Sequence, residues 1–140
     1  MSRAFNDLQK ALDQLRPGTL LWVRGGTYAG SFRIAVSGTE EEPVAVAAAP
    51  GEVARLVLGY GIPKQKRNAG TLALAGCRRV IVHGLVLQGA LGRDDEPENE
   101  YYGSNGITIT SRGGEGCVLS GNIAYGNTHC GLKELGHGGA

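Results

Sequence analysis

A repeat of short apolar runs closed by glycine corners limits this chain more than any other feature. The segment from Gly76 to Gly89 can be laid over Gly113 to Gly126 at an offset of 37 residues. Val80, Val82, Leu85 and Leu87 then correspond to Cys117, Leu119, Asn122 and Ala124. Each unit reads as two inward positions on a short strand, a tight turn, and two more. A second register joins Gly70-Thr71-Leu72, Asn105-Gly106-Ile107 and Cys130-Gly131-Leu132, with Ile107 and Leu132 offset by 25. The two spacings differ by about a dozen residues, which the charged stretch 92–104 supplies as an insertion. A period of this size marks units that cannot bury their apolar faces alone and must stack.

The rest of the chain fits that grammar. Runs rich in Val, Ile, Leu and Thr recur at 20–23, 31–36, 43–49, 54–58, 71–75, 80–82, 85–87, 107–110, 117–119 and 123–125. Glycine-bearing turns separate them, among them Arg24 to Gly30. Glycine reaches 24 of 140 residues, against a usual ~7%. Fifteen of them lie from residue 71 onward, where the repeat is clearest. Only the start of the chain has helical spacing: Phe5, Leu8, Ala11, Leu12 and Leu15 form one stripe that Pro17-Gly18 ends. The lack of a second helical run between strands argues against an α/β sheet with crossover helices.

Charge narrows the function classes. Fourteen basic residues stand against 13 acidic, for a net charge of +1, which argues against a nucleic-acid module. No apolar run is long enough to cross a membrane as a helix, and nothing in the given chain resembles a leader peptide. Three cysteines, Cys77, Cys117 and Cys130, fit neither a disulfide scaffold nor a zinc knuckle. Cys117 falls on an inward position and reads as core.

Several motifs together resemble the right-handed parallel β-helix superfamily, in its pectate-lyase-like, carbohydrate-active branch. The run Ala11 to Tyr28 is similar to a capping helix followed by a first coil, with its Pro17-Gly18 turn, a strand, and Gly26-Thr27-Tyr28. Ser37-Gly38-Thr39, Pro43-Val44 and Ala49-Pro50-Gly51-Glu52 fit the next segment. Val82, Gly84, Leu85 and Leu87, then Asn105-Gly106-Ile107, then Asn122, Asn127 and Gly131-Leu132, fit successive coils. The expected fold is all-β: a capping helix over residues 1–18 and about four β-helix coils over 19–140, with the acidic loop 92–104 inserted. Gly84 and Gly121 are then corner glycines, and Asn122 and Asn127 bond the backbone between coils. The tail from Gly136 to Ala140 offers no cap. The last coil is therefore expected either to continue in a longer chain or to be covered by self-association.

The resemblance implies a polysaccharide ligand, anionic in character, outside the coils, with β-elimination of a uronate linkage as the reaction. A lysine or arginine abstracts the proton α to the carboxylate in such lyases, helped by calcium. Lys133, Arg79 and His83 are the candidates for catalysis; Arg78, Tyr101, Tyr102 and His129 for substrate contact; Asp94, Asp95 and Glu96 for calcium. Ordinary surface charge is the competing reading for each. No aspartate accompanies Gly131-Leu132, where Thr128-His129-Cys130 stands. Trp22 suits a sugar platform if it faces outward, which alternation with Leu21 and Val23 leaves open. A non-catalytic polysaccharide-binding or structural β-helix is the alternative function, and hydrolysis by paired carboxylates ranks below elimination. An extracellular or periplasmic location follows from the resemblance alone.

Overall fold

A computed structural model describes residues 8–58, 71–89, 105–110, 114–125 and 130–134. Within them the chain is almost entirely β-strand. One short helix, α1 (Leu8–Asp13), comes first. Twelve strands follow: β1 (Leu20–Val23), β2 (Gly26–Ala29), β3 (Phe32–Ile34), β4 (Val44–Ala48), β5 (Ala54–Val57), β6 (Leu72–Ala75), β7 (Val80–His83), β8 (Val86–Gln88), β9 (Asn105–Thr110), β10 (Val118–Ser120), β11 (Ile123–Tyr125) and β12 (Cys130–Glu134).

The strands are dealt in turn to three sheets. Sheet A holds β1-β4-β7-β10, sheet B β2-β5-β8-β11, and sheet C β3-β6-β9-β12. Every pairing is parallel. A parallel pair cannot be closed by a hairpin. Here each strand reaches its partner only after the chain has visited the other two sheets, so no crossover helix is needed.

Pairing lines up residues of one kind. Leu21, Val46, Val82 and Leu119 form an inward column in sheet A. Tyr28, Leu56, Leu87 and Ala124 do so in sheet B. In sheet C, Phe32 and Ile34 align with Leu72 and Leu74, and these with Ile107 and Ile109. Together with Val44, Val80, Leu85 and Cys77 the buried members of these columns make one continuous core, with Leu21, Ile109 and Leu119 partly buried against it and Ala124 exposed. Each fully buried aliphatic side chain contributes roughly 1.5–3 kcal/mol relative to exposure. Helix α1 lies over one end of that core through Leu8 and Leu12, with Leu15 just beyond it.

Two details of the sequence reading change. The stretch 24–30 is not one turn, because Gly26–Ala29 forms strand β2. Its single large side chain, Tyr28, points into the core, and its hydroxyl donates to the carbonyl of Arg24 at 2.7 Å. The stretch 92–104 is not the whole irregularity either. Phe32 pairs with Leu72, an offset of 40, so the extra length is not confined to 92–104; residues 59–70 lie outside the described residues.

The corners explain where the glycines fall. Gly84 and Gly121 both take positive φ, +74° and +65°, at the equivalent turns from sheet A to sheet B. Such backbone is open to glycine at no steric cost. Gly38 is required by space: a Cβ there would lie 2.5 Å from the Val44 nitrogen and 2.7 Å from the Arg79 oxygen.

Candidate functional site

The turn from sheet A to sheet B is fixed by a side-chain amide. Asn122 accepts from the Leu85 N–H through Oδ1 at 2.9 Å and donates through Nδ2 to the Val82 carbonyl at 2.9 Å. One carboxamide thus satisfies a donor and an acceptor left free where the earlier turn breaks its ladder. Beside it, Gly121 packs against the His83 ring, and the Gly84 N–H donates to the Ser120 carbonyl at 3.0 Å.

His83 closes β7, and its Nδ1 shares a hydrogen bond with Ser120 Oγ at 2.7 Å on the exposed face. Ser120 is the register partner of His83 in the neighbouring strand β10. The 37-residue repeat already aligned the two residues, so this pair was available to the sequence and was passed over.

Arg79 begins the same stretch. It is the non-glycine residue with positive φ, 54°, among those described. Its N–H donates to the Glu115 carbonyl and its carbonyl accepts from Val44, while its side chain lies over Gly116. Arg78 donates its backbone N–H to Ser37 Oγ, and its guanidinium stands 3.7 Å from Glu115. Both arginines therefore help build the corner from sheet C to sheet A.

Lys133 stands elsewhere. Strand β12 pairs it with Thr108, and the same column runs on through Ala73 to Arg33. The sheets thus bring Arg78, Arg79 and His83 to β7 and its approach, and set Lys133 on sheet C. Tyr101, Tyr102, His129, Asp94, Asp95, Glu96 and Asn127 lie outside the described residues. Among the described residues no three His, Cys, Asp or Glu side chains gather into a cation site. The residues expected to hold calcium, Asp94, Asp95 and Glu96, are among those outside the described residues.

Three further contacts carry weight that the sequence did not reveal. Gln9, on the polar side of the helical stripe, accepts from the Arg33 N–H at 2.9 Å and donates to the Arg33 carbonyl at 2.8 Å. It pairs with the edge of β3 as a further strand would. Glu52 accepts from the Gly25 N–H at 2.8 Å and from Arg24 Nε at 3.1 Å. The Gly25 hydrogen bond, and then Arg24, hold its carboxyl below the ordinary range. Cys77 is fully buried, and burial pushes its thiol up to about 12. A cleft of about 170 Å³ opens between α1 and β1–β2, lined by Leu8, Ala11, Trp22, Arg24 and Tyr28 among others. It holds no carboxylate and so offers no acid–base pair.

The architecture is that of an all-β protein built from parallel sheets. One solved structure that it resembles is an alginate lyase from Paenibacillus sp. str. FPU-7, with a TM-score of 0.54 and 22% identity. The match covers 92% of this chain and 34% of that one, so the chain spans about a third of the enzyme's length. No family model matches the chain, and no curated protein matches it.

Proposed function

We propose that the three sheets are the faces of a right-handed parallel β-helix of about four coils, capped by α1. We further propose that this module binds an anionic polysaccharide across the outer face of sheet C. The observation that carries this reading is the column Arg33–Ala73–Thr108–Lys133. It puts Arg33 and Lys133 three strands apart in register, roughly 14 Å at the usual strand spacing, with Ala73, which is 2% exposed, and Thr108 between them. Negative sugar units spanning such a line meet a cation at both ends. The likeness in fold to a polysaccharide lyase supports the same reading.

Elimination is the reaction this reading favours. Lys133 is its proposed base, taking the proton α to a uronate carboxyl, with Arg33 as a partner for the polymer's charge. Asp94, Asp95 and Glu96 are the proposed holders of calcium, which would neutralise the substrate carboxylate; Tyr101, Tyr102 and His129 are proposed to touch the sugar. Arg79 and His83 leave the catalytic set in this reading, because they belong to another sheet. An extracellular or periplasmic location is part of the proposal; among the described residues no helix is long and apolar enough to cross a membrane.

A second reading, a non-catalytic polysaccharide-binding or structural module, is favoured by a specific observation. Arg78, Arg79 and Asn122 are all engaged in holding corners. Incubation with pectate, alginate and neutral glycans separates the two, with calcium or with chelator. Ultraviolet absorbance reads unsaturated product, and retardation in glycan-loaded gels reads binding. Unsaturated product that is lost in Lys133→Ala supports the lyase. Retardation by uronates without product supports the second reading in its binding form, and neither signal on any glycan defeats lyase and binding module alike and leaves the structural module.

A further inference from the structure

The register settles which way Trp22 faces. Sheet A alternates, and Leu21 and Val23 belong to the core side. Trp22 therefore heads an outward column that runs Trp22–Ala47–His83–Ser120 across β1, β4, β7 and β10. The neighbouring outward column runs Leu20–Ala45–Ile81–Val118. Over the first three strands both columns read large, alanine, large. Trp22 is 49% exposed and Ala47 only 6%, so β4 is largely covered, and the face presents Leu20 and Trp22 on one side of its alanines and Ile81 and His83 on the other, a shallow trough between large side chains. At the usual strand spacing the two walls stand roughly 10 Å apart, backbone to backbone.

The chemistry of the trough selects its occupant. An apolar protein partner would be met by hydrophobic side chains throughout. Here one column is apolar, while the other passes from an indole to an exposed imidazole–hydroxyl pair joined at 2.7 Å. A pyranose ring has the matching duality, with a C–H face that stacks on an aromatic ring and a rim of hydroxyls that needs donors and acceptors. None of the four strands of sheet A contains a carboxylate; Glu52 adjoins the face beyond β1, where it is paired to Arg24. Arg24, two residues beyond Trp22, is bonded to Glu52 through Nε and keeps its terminal N–H donors on a largely exposed side chain.

We propose that the outer face of sheet A is a sugar-binding subsite, separate from the sheet C column. In it Trp22 stacks on a pyranose ring, and the His83–Ser120 pair and Arg24 bond its hydroxyl or carboxylate oxygens. The inference rests on the reading of the chain as a polysaccharide-binding module, and adds a second contact face for that polymer.

Trp22 is the one tryptophan in the chain, so intrinsic fluorescence reports on this face directly. Uronate and neutral oligosaccharides are titrated into the full chain, with emission and calorimetry followed together. The expected result is a saturable change in emission whose midpoint matches the calorimetric one. Trp22→Ala is expected to weaken the calorimetric affinity about three- to tenfold, the scale of an aromatic stacking contact, and Trp22→Phe to restore most of it. Trp22 is half exposed, so both variants retain the core; far-ultraviolet circular dichroism checks this. Heat of binding with unchanged emission and no effect of Trp22→Ala overturns the subsite and leaves the polysaccharide reading standing. No heat with any glycan overturns the reading and the subsite together.

Discussion

The two ends of the sheets meet water differently. Strands β1, β2 and β3 each have a partner on one side only, yet Val23, Tyr28 and Phe32 are buried, because Leu8, Leu12 and Leu15 lie over them. Among the described residues strands β10 and β11 also have a partner on one side only. There Ile123 is 59% exposed, and Ala124 is exposed although it shares a column with Leu87, which is fully buried. The same repeat position is core in one unit and surface in the next. Burial in this architecture is therefore supplied by a neighbour on each side, and α1 acts as that neighbour at the first edge. Gln9 extends the equivalence to hydrogen bonding, offering β3 the donor and acceptor of a missing strand.

Substitutions can break that contrast, beginning with the largest effect. Leu12→Ala removes a side chain that is 2% exposed and uncovers the first edge; about 2–5 kcal/mol of unfolding free energy is expected to be lost. Leu119→Ala, in the inward column of the last unit, is expected to cost clearly less, because its site is already partly open. Equal losses in chemical denaturation would contradict the contrast.

Asn122→Ala comes next. It leaves the Leu85 N–H and the Val82 carbonyl without their partner, at a cost of about 1–3 kcal/mol. Asn122→Asp should recover only the half that accepts from Leu85. Denaturant midpoints that rank the variants otherwise would show that the amide does not hold the turn.

Cys77 sharpens the picture from the alkaline side. Burial raises its thiol from an ordinary 9.0 to about 12 in the folded chain. The stability it contributes is complete below the unfolded value, and is lost as pH climbs from about 9 toward about 12. Cys77→Ala should flatten that alkaline decline in a melting-temperature profile. In the native protein a thiol reagent is expected to modify the partly buried Cys117 before Cys77, which should react only on unfolding.

The smallest effect belongs to Gln9→Ala. Its two contacts with Arg33 are exposed, so a loss of about 0.5–1.5 kcal/mol is expected, appearing as faster amide exchange confined to β3. Faster exchange spread evenly through sheet C would contradict an edge-specific role.

Much of this was legible in the chain. The 37-residue offset names the pairs Val82 with Leu119 and Leu87 with Ala124, and the 25-residue offset names Ile107 with Leu132. Repeats reveal register because stacked units need the same side chain on the same face. What repeats do not carry was missed. Strand β2 has one large apolar residue between small ones, so its alternation is invisible without its partner β5. Gln9 looks like any polar residue on a helix until the edge of β3 is beside it. The face of Trp22 depends on its alignment with Ala47, 25 residues away, and a run of three apolar neighbours hides it. The sequence also grouped Lys133 with Arg79 and His83 by charge, whereas the strand order sets Lys133 on sheet C and His83 on sheet A, with Arg79 in the turn just before β7.

Every proposal made for this chain depends on the stacked register, and strand-resolved amide hydrogen exchange on the intact protein tests it most directly. The account predicts greatest protection in β4 and β7, which have partners on both sides, intermediate protection in the covered edge β1, and least in β10. Equal protection across sheet A, or greater protection in β10 than in β4, would contradict it.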